Sequence, residues 1–250
     1  MPKRYRTKMT RDEFENSKVP SNNVVVELLR VEEDAVTHGG VAMGVYEDDT
    51  WEDESETHPA DIASVVGIVR KLPDKLTFGE RDGDMAWDSE MELQEGDMVW
   101  FNFIESKNAV EIVLSDEIKS KIYRAIPYQD VYCCKRDYWI NKWEDKRGTM
   151  TIMLNGYCLL EPIKIPPINS LDLIDHGYYD DRGIVRYLGE PNKRYTNPQH
   201  HDNTDLKIGD LAFIQAGYKP FLLERRKYFA TWEGSNLFYC VQRRRIIFSV

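Results

Sequence analysis

The residue types that carry enzyme chemistry are scarce in this chain and stand in no catalytic pattern. No Gly-x-Ser-x-Gly, His-Glu-x-x-His or phosphate-loop sequence occurs. Carboxylate pairs such as Asp48-Asp49 and Asp180-Asp181 lie in acidic runs, where solvation is their simplest role. The five histidines all fall in polar stretches that predict loops, namely His38, His58, His176, His200 and His201. We therefore predict no catalytic residue, no enzyme activity and no cofactor.

Two groups of side chains could in principle bind a metal. His200 and His201 precede Asp202, but adjacent residues in a loop rarely point at one ion, and no partner histidine lies at helical spacing. The four cysteines form no Cys-x-x-Cys pair and lie in apolar or aromatic surroundings, at Cys133, Cys134, Cys158 and Cys240. We predict no metal site, and buried free thiols in a reducing compartment.

The segment HGGVAMG, residues 38–44, places an apolar tripeptide in an acidic region. The tripeptide is Val41-Ala42-Met43, and the run EDDTWEDESE soon after it could not be buried in a core. A small apolar patch in a segment that otherwise stays in solvent is typical of a docking peptide. Binding then costs ordering entropy, which keeps release possible. The alternative is a β-turn followed by a short edge strand that packs locally.

The composition excludes several classes of protein. The chain has 250 residues and a net charge of −10, which disfavours nucleic acid as a general partner. No apolar run approaches the roughly 18 residues of a transmembrane helix, and the start lacks the apolar core of a signal peptide. We expect a cytoplasmic protein with no membrane partner, and a basic flexible arm over residues 1–19.

Short β-branched and aromatic runs bounded by turn residues dominate the chain and predict an all-β fold. One segment, residues 116–126, fits either a helix or a loop that leads into a strand. The predicted strands are residues 23–31, 64–72, 97–104 and 130–136 in the first half, and 151–160, 182–188, 210–216, 237–243 and 245–250 in the second.

The two halves of the chain resemble each other. VGIVRKLP (66–73) matches RGIVRYLG (182–189), LQEGDMVWF (93–101) matches LKIGDLAFI (206–214), and VYCCKR (131–136) is similar to FYCVQR (238–243). The offsets are 116, 113 and 107 residues, in the same order. Each half is long enough to have its own core, so this pattern predicts two copies of one domain.

Each half resembles a GroES-like (chaperonin-10) domain. In that family an opening strand is followed by a flexible loop with Gly-Gly and an apolar tripeptide, a Gly-x-Val strand, a Gly-Asp turn with its strand, and a closing strand. The first half offers VVVELLRVEED, GGVAMG, VVGIVRKL, LQEGDMVWF and VYCCKRD over residues 20–137. The second offers YCLLEPI, RGIVRYLG, LKIGDLAFI and LFYCVQRRRII over residues 151–250.

The resemblance implies that the flexible loop, about residues 34–60, docks into a groove of a chaperonin ring. Carried over by position, the contact residues are Gly39, Gly40, Val41, Ala42, Met43 and Gly44. Ala42 departs from the larger aliphatic residue that the family usually has there. The second connector, residues 164–182, lacks a Gly-Gly motif, and its candidate contacts are Leu171, Leu173 and Ile174. The insert at 71–97 falls where the family has a hairpin that can roof the ring.

We therefore predict two tandem GroES-like β-barrel domains, residues 20–137 and 151–250, joined by a linker at 138–150. The implied function is that of a co-chaperonin, which caps a chaperonin ring as a homo-oligomeric ring itself and assists ATP-dependent folding of non-native client polypeptides. One alternative is a ring or shell component, of viral origin for example, and then the host cytoplasm would be its compartment. Another is an adaptor whose acidic loop binds a basic partner.

Overall fold

The computed structural model describes thirteen segments of the chain: residues 6–19, 21–28, 36–38, 41–43, 65–77, 90–101, 109–115, 121–142, 145–166, 177–192, 205–218, 221–224 and 237–250. These segments are mostly β-strand, as the alternating apolar runs predict. The all-β class is therefore confirmed.

The strands form two large sheets and one small one. Within the described residues neither large sheet closes on itself. The first half of the chain provides the helix α1 (Arg11–Asn16) and the strands β1 (Arg6–Met9), β2 (Asn23–Leu28), β3 (Val36–His38), β4 (Val41–Met43), β5 (Val65–Lys71), β6 (Met98–Phe101), β7 (Val110–Leu114), β8 (Tyr123–Pro127), β9 (Val131–Asn141) and β10 (Lys146–Met153). The second half provides β11 (Tyr157–Lys164), β12 (Tyr178–Leu188), β13 (Leu211–Ile214), β14 (Phe221–Glu224), β15 (Leu237–Gln242) and β16 (Ile246–Ser249).

The same six-stranded arrangement occurs in both halves. The eight-stranded sheet has the order β1-β7-β8-β2-β5-β6-β9-β10, and the six-stranded sheet has the order β14-β15-β11-β12-β13-β16. Without β1 and β10, the first sheet has the order β7-β8-β2-β5-β6-β9. Each of these strands has a counterpart at the same position of the second sheet: β7 matches β14, β8 matches β15, β2 matches β11, β5 matches β12, β6 matches β13 and β9 matches β16. The repeat inferred from sequence is therefore present in the topology, with β1 and β10 added at the two edges of the first sheet.

Matching glycines allow two strands of each half to approach closely. A Cβ added to Gly67 would lie 2.9 Å from the carbonyl oxygen of Glu27, and one added to Gly183 would lie 2.8 Å from that of Glu161. The two contacts occupy the same place in the two sheets, between β2 and β5 and between β11 and β12. A side chain at either position would therefore force strands apart, which explains the glycine in both GIVR motifs.

The Gly-Asp turns also match. Gly96 and Gly209 have φ angles of 92° and 98°, a region that glycine adopts without strain. The Gly96 N–H donates to the Val69 carbonyl at 2.8 Å, and the Gly209 N–H donates to the Val185 carbonyl at 2.8 Å. Each turn is therefore held against the strand that carries the GIVR motif of its own half.

The third sequence correspondence is wrong. VYCCKR lies in β9, at the outer position of the six-strand unit, and FYCVQR lies in β15, whose counterpart is β8. Both segments are buried strands with adjacent aromatic and cysteine residues, so their composition alone did not separate them. The strand that corresponds to β9 is β16.

The structure differs from the prediction at the boundary between the halves. Residues 138–150, interpreted as a linker, lie mostly in the antiparallel pair β9 and β10. The chain passes between the large sheets at the turn Leu154–Tyr157, where the Tyr157 N–H donates to the Leu154 carbonyl at 2.8 Å. Of residues 116–126, the described part 121–126 enters strand β8 at Tyr123, which agrees with the alternative of a loop that leads into a strand and not with a helix.

The N-terminal arm is also more structured than predicted. Thr10 and Glu13 form a capping box at the start of α1, and Phe14 of this helix is buried. Strand β1 pairs in parallel with β7, and the Arg6 guanidinium contacts Glu111 at 3.0 Å. Local capping and one buried aromatic side chain therefore fix residues 6–19 onto the first sheet, although the segment is rich in charge.

Candidate functional site

The candidate docking tripeptide lies in a small sheet of its own. Strand β4, which is Val41–Met43, pairs antiparallel with β3, and His38 is the register partner of Val41. This two-stranded sheet is separate from both large sheets. The short strand of the alternative interpretation is therefore present, and whether the tripeptide docks on a chaperonin stays a prediction.

Of the other predicted contact residues, Gly39, Gly40 and Gly44 lie outside the described residues. The same holds for Leu171, Leu173 and Ile174 of the second connector, and for most of the predicted loop at 34–60. The structure consequently brings Val41, Ala42 and Met43 together in one strand and does not test the rest of the set.

The segment that carries β3 and β4 starts and ends on two neighbouring strands. It spans residues 29–64, between β2 and β5, and these strands pair with Leu28 opposite Gly67. In the second half the corresponding connection, between β11 and β12, is the shorter segment 165–177. The candidate docking segment is therefore an insertion in a single connection of the repeated unit, and it is anchored at both ends in one sheet.

An ion-pair cluster lies at the base of this insertion. The Glu27 carboxylate accepts a hydrogen bond from Arg70 Nε at 2.7 Å and contacts Lys121 Nζ at 3.0 Å. Burial alone would raise the pKa of Glu27, but the hydrogen bonds from Lys121 and Arg70 outweigh it, so this pKa is lowered. In the sequence Glu27 stands within the apolar run VVVELL, but its contacts with Arg70 and Lys121 could not be inferred from that run.

We expect Glu27→Gln to reduce the dependence of the free energy of unfolding on pH. Because the folded pKa of Glu27 is lowered, its ion pairs stabilise the fold above the unfolded pKa and are lost as pH falls through the folded pKa. The variant should lose about 1–2 kcal/mol at neutral pH and show a smaller further loss below about pH 4. Urea denaturation at neutral pH and below about pH 4 measures the free energy of unfolding of the variant and of the wild type. Equal acid dependence of variant and wild type would contradict it.

The second insert, at 71–97, is held at both of its described ends. The side-chain amide of Asn22 donates to the Thr77 carbonyl at 2.9 Å, and its oxygen accepts from the Thr77 N–H at 2.7 Å. At the other end the Tyr128 hydroxyl donates to the Glu90 carbonyl at 3.2 Å. Asn22 and Tyr128 are both buried. The insert therefore leaves and rejoins the sheet at fixed points.

The four cysteines are free and buried, which confirms that part of the prediction. Burial raises the pKa of the Cys134 thiol to about 12, and it raises the pKa of Cys133 and Cys240 well above the ordinary value. These thiols are thus protonated at neutral pH and poor nucleophiles. His200 and His201 lie outside the described residues. Within the described ranges no three metal-binding side chains converge.

Comparison with known proteins gave no match to a family model, a curated protein or a solved structure. In the part of the chain that the structure describes, no helix has both the length and the apolar character needed to cross a membrane.

Proposed function

We propose that this protein is a co-chaperonin. It binds the rim of a chaperonin ring through Val41-Ala42-Met43 and closes the chamber in which non-native polypeptides fold with the chaperonin's ATP. In this proposal each half is a GroES-like domain, and several chains assemble into a ring. Multiple attachments raise the effective concentration of each weak apolar contact, which offsets the small side chain of Ala42.

The observation that carries the proposal is the placement of the tripeptide. It lies in a two-stranded sheet outside the two large sheets, within a long connection that occurs in one copy of the repeat. A segment anchored at both ends in one sheet can present a short apolar contact without disturbing the core. The pairing of β3 with β4 further reduces the entropy that must be lost on binding. The GIVR and Gly-Asp motifs follow each other in both halves in an order that resembles the GroES-like family, and this resemblance supports a chaperonin as the partner.

The experiment is a pull-down of the full chain by a chaperonin ring in the presence of ADP or ATP. We expect nucleotide-dependent binding by the wild type and its loss, by at least about tenfold, in Val41→Asp/Met43→Asp, because two charges would enter an apolar groove. Circular dichroism checks that the variant is folded. The matched control is Leu171→Asp/Leu173→Asp in the second connector, which should bind as wild type does.

Two results would contradict the proposal. If the wild type does not bind the chaperonin of its host with either nucleotide, the co-chaperonin function is wrong. If the docking variant binds as well as the wild type, the tripeptide is not the contact. Loss of binding only in the Leu171→Asp/Leu173→Asp control would transfer the contact to the second connector.

A further inference from the structure

The two halves of the chain meet across one apolar contact, which we call the inter-half contact. The first half contributes Trp100, Tyr132 and Cys133, together with Val66. The Tyr132 and Tyr157 rings meet at 4.8 Å in an edge-on arrangement. The side chains from the second half are Tyr157, Leu159, Phe238 and Cys240. Since two copies of one unit meet here through different faces, each face has a counterpart on the other half.

The counterpart of the first face lies uncovered on the second half. The pairing of strands identifies this counterpart. In the β6–β9 pair Trp100 lies opposite Cys133, and in the β13–β16 pair Phe213 lies opposite Phe248. Both pairs have a break in register immediately after this position. The matches are Trp100 with Phe213, Tyr132 with Ile247, Cys133 with Phe248, and Val66 with Arg182, whose guanidinium lies 5.0 Å from the centre of the Phe213 ring. Tyr132 and Cys133 are 1% and 0% exposed, whereas Ile247 and Phe248 are 58% and 49% exposed. We call Phe213, Ile247 and Phe248 the open face.

The counterpart of the second face is covered by the chain's own N-terminal segment. The residues that match Leu159, Phe238 and Cys240 are Val25, Tyr123 and Ala125, and they pack in one cluster with Met9, Phe14 and Val19. The Phe14 and Tyr123 rings lie 5.3 Å apart. We call Val25, Tyr123 and Ala125 the capped face.

The cap is small: it consists of the helix α1 and of the strand β1, which pairs with β7 over Arg6–Met9. Phe14 is the buried residue of the six-residue helix α1, and a helix of this length has little stability of its own. Lys71 Nζ donates to the Glu15 and Ser17 carbonyls at 2.9 and 2.7 Å and lies 5.1 Å from the centre of the Phe14 ring. Loss of these contacts would expose the capped face. The counterpart of this face on the second half packs against the first half in the inter-half contact.

We propose that the open face of one copy binds the capped face of a second copy, and that residues 6–19 compete for the same place. The inter-half contact is the precedent for this contact, because the counterparts of the two faces meet there within each chain, with Val66 in place of Arg182 and Tyr157 in place of Asn23. The open face stays apolar although it is exposed, and β16 has no partner on its outer side among the described strands. Contact between unlike faces is head-to-tail, and it makes a ring when the rotation closes.

This inference rests on the ring assembly in the proposed function and specifies its contact and its control. Displacement of the N-terminal segment is the step that permits growth. A chain with its cap in place offers one free face, so the position of α1 sets how readily copies associate. The proposed contact does not use Val41-Ala42-Met43, and assembly can be measured without a chaperonin.

The test is sedimentation velocity of the full chain over a range of concentrations. We expect Ile247→Asp/Phe248→Asp to weaken self-association at least about tenfold, and Phe14→Ala to strengthen it at least about tenfold. The triple variant should associate as weakly as the open-face variant. Tyr178→Asp, which changes an exposed aromatic residue outside both faces, is the matched control and should behave as wild type.

If Phe14→Ala does not fold, Lys71→Met removes the hydrogen bonds to the Glu15 and Ser17 carbonyls, because methionine has no N–H to donate, and it should shift association in the same direction. Association of the folded uncapped variant at or below the wild-type level overturns the proposal. So does undiminished association when both aspartates are in the open face. Neither result bears on chaperonin binding by Val41-Ala42-Met43, so failure here is distinct from failure of the co-chaperonin proposal.

Discussion

Trp100→Ala should destabilise the protein by about 3–5 kcal/mol, the range for a large aromatic side chain removed from a core. Trp100 is 5% exposed and belongs to the inter-half contact, so its removal leaves a cavity between the two large sheets. Because this cavity lies between the sheets, we also expect the halves to unfold less cooperatively. Urea denaturation followed by circular dichroism should then show two transitions where the wild type shows one.

Phe213→Ala is the matched control, since Phe213 occupies the position of Trp100 in the second half. Its ring stacks on Phe248 at 4.4 Å and is only partly buried. At a protein concentration that favours the monomer, this substitution should cost about 1 kcal/mol. Equal costs for the two substitutions would mean that Trp100 does not join the halves. At high concentration Phe213→Ala should additionally reduce self-association, since it alters the open face.

The strands could be predicted because their signals are local. Runs of valine, isoleucine and aromatic residues bounded by turns gave strands that overlap β2, β5, β6, β9, β12, β13, β15 and β16. The glycines of the GIVR and Gly-Asp motifs recur at matching positions in the sequence, and the structure requires each of them for a close approach or a positive φ at the same point of both halves. These features depend on neighbouring residues and on repetition.

Features that depend on distant pairing could not be predicted. Nothing local shows that β1 pairs with β7, or that residues 146–153 add a strand to β9 rather than linking two domains. The N-terminal helix had a readable signal in Thr10-x-x-Glu13, but its charged surroundings favoured a solvated arm. The cover that Phe14 provides for the first sheet depends on tertiary packing, and composition does not reveal it.

At the candidate site, too, local features could be predicted and features that depend on distant pairing could not. The tripeptide Val41-Ala42-Met43 was found because it is apolar within an acidic segment, and because of its place in the order of motifs. Its partner strand, Val36–His38, was not, because a three-residue strand in a polar region has no distinctive pattern. Glu27 was visible as a lone charge in an apolar strand, yet its two cationic partners come from β5 and from the segment before β8. Their convergence is set by the sheet.

The aspartates of the two Gly-Asp turns provide a second comparison between the halves. The carboxylate of each accepts a hydrogen bond from a backbone N–H three residues earlier. Asp97 accepts from Gln94 and Asp210 accepts from Lys207, both at 2.8 Å. Asp97 alone also forms a bidentate pair with Arg136, at 2.8 and 2.7 Å. This hydrogen bonding with Asp97 raises the pKa of Arg136.

Asp97→Asn should therefore cost about 3 kcal/mol, because it leaves a largely enclosed guanidinium without its counter-charge. The Asp97 side chain is only 3% exposed, so water cannot replace the carboxylate. Asp210→Asn removes no ion pair among the described residues and can still accept from the backbone, so about 1 kcal/mol or less is expected. The free energy of unfolding of the two variants is measured in urea, because guanidinium chloride is a salt and would screen the charges. If both variants lose the same stability, the backbone turn rather than the buried ion pair is what Asp97 stabilises.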